Sequence, residues 1–157
     1  MTELEEWQNK VSGVACPMCS SEDRPDQLMA LPSGRLLMLN DGDFKGYCII
    51  EFKKHSTELF DLSYEDRLQL FEDVSRVARE LNAMLEPGKI NYVILGNEIP
   101  HLHVHIIPRF QNDGWWGRPT WLRPADEKSR LSECEYFQLR EILLKRLNSI
   151  YEEGDAK

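Results

Sequence analysis

Three of the chain's four histidines fall within five residues, at His101, His103 and His105; the fourth is His55. In a strand, alternate side chains share a face, so the three imidazoles would project together, each roughly 6.6 Å from the next. Leu102, Val104 and Ile106 would then face the other way, into a core. A bare row of surface histidines is one reading, although histidine is no favoured strand former. The others are metal ligation by several of the three, or acid, base or nucleophilic chemistry on a phosphate. A second pair, Cys16 and Cys19, has C-x-x-C spacing, which lets two thiolates from one turn reach one tetrahedral ion. No second C-x-x-C exists, so two further ligands would have to come from elsewhere, and the available histidines are His55 and the row. Two reduced cysteines in a turn are the plain alternative. A redox site of the thioredoxin kind fits poorly, because no helical pattern follows the motif directly.

The surrounding patterns predict the elements that hold these residues. Residues 14–27 read as a tight cysteine-bearing turn and a loop, and 28–40 as two short strands around Pro32-Ser33-Gly34. Residues 47–52 form a third strand. Ser63, with Asp66 three residues on, marks a helix start. Leu70, Phe71, Val74, Val77, Ala78, Leu81 and Leu85 then recur at helical spacing over 64–86, up to Pro87-Gly88. Residues 90–95 and 101–108 are two more strands, joined by a loop short enough for an antiparallel pair. An aromatic loop spans 110–127. Ser132 and Glu135 open a last helix carrying Phe137, Leu139, Ile142, Leu143, Leu147 and Ile150. Such an order predicts an α+β fold, an antiparallel sheet with helices packed on one side. A single domain over 1–157 is expected, with residues 1–12 frayed.

The motif His-φ-His-φ-His-φ-φ, with φ apolar, is the signature of the histidine triad (HIT) family, and HLHVHII matches it throughout. The context GNEIPHLHVHIIPR, the upstream KKH (53–55) with Asp61-Leu62 and a helix behind it, and CPMC near the start also resemble family members. The resemblance runs from about Cys16 to Arg109. The Trp-rich tail is similar to that of a branch of small family members. The resemblance implies a HIT-like fold and a nucleotidyl hydrolase or transferase acting at the α-phosphate of a small nucleotide conjugate. Diadenosine polyphosphates and nucleoside phosphoramidates are the expected substrates. It assigns His103 as the nucleophile that forms a nucleotidyl-histidine intermediate, and gives His105 a phosphate contact. In zinc-bearing relatives, and in the related galactose-1-phosphate uridylyltransferases, the metal set resembles Cys16, Cys19, His55 and His101. Such a site would be closed and structural, leaving His103 and His105 for chemistry.

The chain departs from the family pattern in two places. Relatives commonly carry Gly-Gln-Ser/Thr-Val-x-His before the triad, where this chain has Gly96-Asn97-Glu98-Ile99-Pro100-His101. Asn97 keeps an amide donor. Glu98 replaces a hydroxyl and would repel phosphate, assist as a general acid, or turn to solvent. Many relatives also have a Gly-His pair before the third strand; here it is Gly46-Tyr47, so a fourth active-site histidine is missing. By the same resemblance Asp41 or Asn40 lies near the ribose, although Asn-Asp-Gly is also a turn signal. Arg109 would meet phosphate or simply end its strand. Trp115, Trp116 and Trp121 would stack on a base, cover the site, or bury a dimer interface.

Charge narrows the partners. The chain carries 19 basic and 27 acidic residues, a net −8, which argues against nucleic acid polymers and anionic membranes as main partners. The acidity is uneven: residues 89–130 hold six Lys/Arg against four Asp/Glu, a net +2, leaving −10 elsewhere. A small anionic ligand therefore suits the histidine region. The polar start lacks the apolar stretch of a secretory signal, so a cytoplasmic location is expected, where disulfides are rare. Cys48 and Cys134 are expected to be packing residues. A homodimer is an expected assembly, since relatives are often dimers. Two other functions compete with the hydrolase. One is a nucleotide-binding or sensing module with little turnover. The other is a metal-dependent hydrolase using the triad itself as a catalytic metal site.

Overall fold

Five short apolar runs form one antiparallel sheet in a computed structural model that describes residues 2–21 and 24–154. The strands are β1 (Gln27–Leu31), β2 (Gly34–Met38), β3 (Cys48–Phe52), β4 (Lys89–Val93) and β5 (His103–Arg109), in the order β1-β2-β3-β5-β4. A two-residue turn, Pro32-Ser33, joins β1 to β2. Gly34 follows it because a Cβ there would lie 1.9 Å from the Glu51 carbonyl oxygen across the ladder. Period-two alternation puts Leu36, Met38, Cys48, Ile50, Val104 and Ile106 on one face, all essentially buried. Against this face lies α3 (Tyr64–Leu85), with Leu70, Val74, Val77 and Leu81 inward, and then α4 (Glu133–Gly154), with Leu143 and Leu147 inward. Burying each of these side chains stabilises the fold by ~1.5–3 kcal/mol relative to exposure. The result is the expected α+β architecture, with helices on one side of the sheet.

Local signals set the helix limits. The Ser63 hydroxyl accepts the Asp66 N–H at 3.0 Å. Pro87 disfavours helical backbone at Glu86, which instead adopts a left-handed conformation (φ 47°) and ends α3. At the head of α4 the Ser132 N–H donates to the Glu135 carboxylate at 3.1 Å.

Several expectations need correction. Within the segment expected to fray, the structure has a helix. Residues Glu3–Val11 form a helix, α1, because Thr2 and Glu5 cap it reciprocally. The cysteine turn contains one helical turn, α2 (Pro17–Ser20). Phe71, Phe137 and Ile142 do not face the core. They sit beside the inward stripes of their helices and are 47%, 58% and 49% exposed. Cys48 packs in the core, but Cys134 is exposed on the first turn of α4. β5 begins at His103, not His101, because the preceding backbone bonds elsewhere: Leu102 N–H donates to the Ser56 carbonyl at 2.6 Å. No described helix is long and apolar enough to cross a membrane.

Candidate active site and metal centre

The exit of β3 and the entry of β5 run side by side. Phe52 N–H donates to the Leu102 carbonyl at 3.0 Å, and this brings the His55 and His101 rings to 5.4 Å between centroids. The α2 turn docks on the same spot. One ligand atom from each of Cys16, Cys19, His55 and His101 then lies within 4.8 Å of all the others. His101 Nδ1 is 3.5 Å from Cys16 Sγ and 3.4 Å from Cys19 Sγ, and His55 Nδ1 is 3.4 Å from Cys19 Sγ. A tetrahedral zinc ion with ordinary bond lengths separates sulfur from nitrogen by about 3.5 Å. The cluster therefore fits zinc. Both imidazoles also have their outer nitrogen engaged: His101 Nε2 with the Phe52 carbonyl and His55 Nε2 with the Val11 carbonyl, each at 2.8 Å. Donation from Nε2 to a carbonyl leaves each Nδ1 lone pair aimed at the sulfurs, as metal-bound histidines are commonly oriented. Partial burial, then the hydrogen bond and charge of Cys16, push the Cys19 thiol up to about 11. Two thiols packed this closely need a cation to ionise together.

The α2 turn is held by a buried acid. Glu51, 1% exposed, takes Arg35 Nε at 2.6 Å and Arg24 Nη1 at 2.5 Å. Arg35 in turn donates to the carbonyls of Met18 and Ser21 at the end of the turn.

The remaining histidines are separate from this cluster. His103 is buried, and its Nδ1 lies 2.6 Å from the His101 carbonyl, just before the strand. A carbonyl only accepts, so Nδ1 carries the proton and Nε2 keeps its lone pair. His105, half-buried, stands 4.8 Å from the His103 ring centroid, edge to face. Burial, then the charge of His103, lower its pKa to about 4. Its Nδ1 meets the Tyr47 hydroxyl at 2.8 Å. Tyr47 is the contact that sequence reasoning missed; the Gly46-Tyr47 departure from the family's Gly-His pair was its one signal.

His105 and Tyr47 open onto a cleft of about 760 Å³ whose wall also includes Asp41, Glu98, Trp121 and Arg123. Asn97 is exposed and is not among its lining residues. Glu98 is exposed at the rim, its backbone carbonyl 3.4 Å from Lys10 Nζ. A hollow of similar size, about 710 Å³, follows β4 and the Trp-rich loop, but no histidine lines it.

Three expected ligand contacts prove to be structural. Asn40 spends both ends of its amide on the Leu131 backbone, at 2.9 and 3.3 Å. Asp41 lines the cleft, but its carboxylate binds Arg123 bidentately and accepts the Phe44 N–H at 2.9 Å. It is already partnered and has little to offer a ribose. Arg109, expected at phosphate, is engaged within the protein as well. All five of its N–H donors are used, on Asp113 (twice), Asn91 and the carbonyls of Arg118 and Trp115. It anchors the aromatic loop. In that loop Trp116 packs on Gly88, and Trp121, 56% exposed, borders both hollows.

An antiparallel α+β sheet with this alternating histidine segment at the start of a central strand defines the histidine triad class. A family model described as HIT domain matches residues 28–112, more than half of the chain, and the chain belongs to that family. It is 31% identical over 77 residues to an uncharacterized HIT-like protein of Borreliella burgdorferi, covering 45% of this chain and 55% of that protein. Among solved structures it is similar to the histidine triad protein blr8122 of Bradyrhizobium japonicum, with 28% identity and a TM-score of 0.71 over 77% of this chain and 90% of that one. Two more distant structures share the fold, each at 18% identity. A zinc-bound histidine triad family protein of Mycobacterium smegmatis has a TM-score of 0.61 over 89% of this chain and 98% of that one. The diadenosine triphosphate hydrolase of Plasmodium falciparum has a TM-score of 0.55 over 83% and 79%.

Proposed function

We propose that the protein hydrolyses or transfers the nucleotidyl group of a small nucleotide conjugate through a covalent intermediate on His103. The observation that carries this reading is the hydrogen bond from His103 Nδ1–H to the His101 carbonyl, which leaves the Nε2 lone pair free beside His105, itself a wall residue of the cleft. Nε2 attacks the α-phosphorus. A P–N bond forms as the P–O or P–N bond to the leaving group breaks, and the leaving group takes up a proton. Water then attacks phosphorus, freeing the nucleoside monophosphate and returning the electron pair to Nε2. His105 at the cleft wall faces the charge that develops on the non-bridging oxygens. Phosphoric anhydrides and phosphoramidates both satisfy this chemistry. The diadenosine triphosphate hydrolase of the same fold supports the first substrate class.

Cys16, Cys19, His55 and His101 would hold a structural zinc ion, which cross-links the N-terminal turn to the strand bearing the nucleophile. The zinc-bound relative supports that metal. Because His101 turns its Nδ1 to the Cys16 and Cys19 sulfurs, the three triad histidines do not converge on one catalytic metal. A binding module with little turnover is favoured by one feature, the Glu98 carboxylate at the cleft rim. The test is turnover of a panel of dinucleoside polyphosphates, nucleoside phosphoramidates and nitrophenyl nucleotides, set against the affinity for adenosine monophosphate. Turnover of any panel member supports the hydrolase. Tight monophosphate binding with no turnover supports the module.

A further inference from the structure

Resting on that functional reading, we propose that Tyr47 is a positioning residue that fixes His105 as an Nε2–H donor toward the cleft. The two triad histidines that face chemistry need opposite tautomers. One must offer a lone pair to phosphorus and the other an N–H to a phosphate oxygen. His103 gets its tautomer from a backbone carbonyl. For His105 the Nδ1 partner is instead a side chain, the Tyr47 hydroxyl at 2.8 Å. A hydroxyl can donate or accept, so the direction rests on acidity. The phenol is a stronger acid than a neutral imidazole N–H, and the imidazole nitrogen is a far stronger base than a phenol oxygen. The hydroxyl therefore donates to Nδ1, and the ring proton moves to Nε2.

The surroundings keep both partners in these forms. Burial, then the charge of Asp41, push the Tyr47 phenol up to about 12, so it retains its proton. His105 is held neutral by burial and by its neighbour His103. The backbone holds Tyr47 in place. Gly46 turns the chain into β3 with φ +80°, and a Cβ there would sit 2.6 Å from Leu85 Cδ1. Tyr47 N–H donates to the Phe44 carbonyl at 3.0 Å, and its own carbonyl accepts the Leu39 N–H at 2.9 Å. The ring meets Phe44 edge-on at 6.5 Å between centroids. Tyr47 stands where the family's Gly-His pair places a histidine, so the chain supplies a donor at that position by a different side chain.

The test is two-bond ¹H–¹⁵N spectroscopy of the full chain labelled at histidine, at neutral pH, with His105 assigned by its loss in His105→Gln. The expected wild-type spectrum shows His105 protonated at Nε2 alone. Tyr47→Phe should abolish that single tautomer and weaken adenosine monophosphate binding about tenfold, the scale of losing one preorganised donor to a charged ligand. Wild-type His105 protonated at Nδ1 overturns the inference, and so does a tautomer unchanged in Tyr47→Phe. The wild-type spectrum decides the first point even where the variant does not fold. Wild-type protein that shows the Nε2 tautomer yet neither binds nor turns over nucleotides contradicts the functional reading and leaves the tautomer assignment standing.

Discussion

Glu98 and His105 both line the cleft, and each carries a test of the chemistry proposed there. Glu98 stands where relatives offer a hydroxyl, three residues before the triad, and it lines the same cleft as His105. If it protonates the leaving group, Glu98→Gln slows substrates with basic leaving groups far more than nitrophenyl nucleotides. Equal rates on both kinds mark it as a solvent-facing rim residue, and a faster variant on both shows that its charge repels phosphate. His105 gives a stability prediction. Its folded pKa, about 4, lies below the ordinary 6.5, so the unfolded chain binds the proton more readily. Its contribution is complete above about pH 6.5 and is lost as the pH falls from there toward about 4. The size is of order 1–3 kcal/mol. His105→Gln removes this titration, so urea unfolding should show a shallower loss of stability between about pH 6.5 and pH 5 than in wild type. Identical slopes contradict the depressed pKa.

At the scale of elements, a buried arginine network and the Cys/His cluster hold irregular segments against the sheet. Arg109 and Asp113, with side chains 4% and 0% exposed, pair at 2.7 Å and hold the turn that leads into the Trp-rich loop. Burial alone would raise Asp113's pKa, but hydrogen bonds from Arg109 and the Trp115 N–H outweigh it and hold the group low. Arg109→Met should destabilise the fold by about 3–5 kcal/mol, because it strands a buried carboxylate. Adenosine monophosphate affinity, measured well below the melting transition, should stay near wild type. A selective loss of affinity with unchanged melting would restore Arg109 as a phosphate ligand. The cluster of Cys16, Cys19, His55 and His101 brings a second set of distant segments together. The purified protein should carry about one zinc per chain, and Cys16→Ser or Cys19→Ser should release it and lower the melting temperature. Metal-free protein purified without chelators, by elemental analysis, contradicts the site.

For the molecule as a whole, the regular parts were legible and the irregular parts were not. Period-two and helical spacing gave all five strands and both long helices, because a repeating pattern is a property of neighbours in sequence. The four clustered ligands were legible through family resemblance, not through spacing, since they come from three distant segments. The internal partners of Arg109, Asn40 and Asp41 were not legible, for a different reason. Whether a polar side chain is free for a ligand depends on partners far along the chain, such as Leu131 and Arg123, which a local pattern does not reveal. Tyr47 was visible as a departure, but its partner, 58 residues away, was not. The central claim is that these parts converge on one nucleophile, His103. It is tested most directly by mixing the protein with a nitrophenyl nucleotide, quenching in the first turnover and measuring intact and peptide mass. The expected result is one nucleotidyl group on His103, absent from His103→Ala, whose turnover falls by about 10⁴-fold or more while its fold is kept. Turnover with no adduct on His103, or a His103→Ala variant as active as wild type, contradicts it.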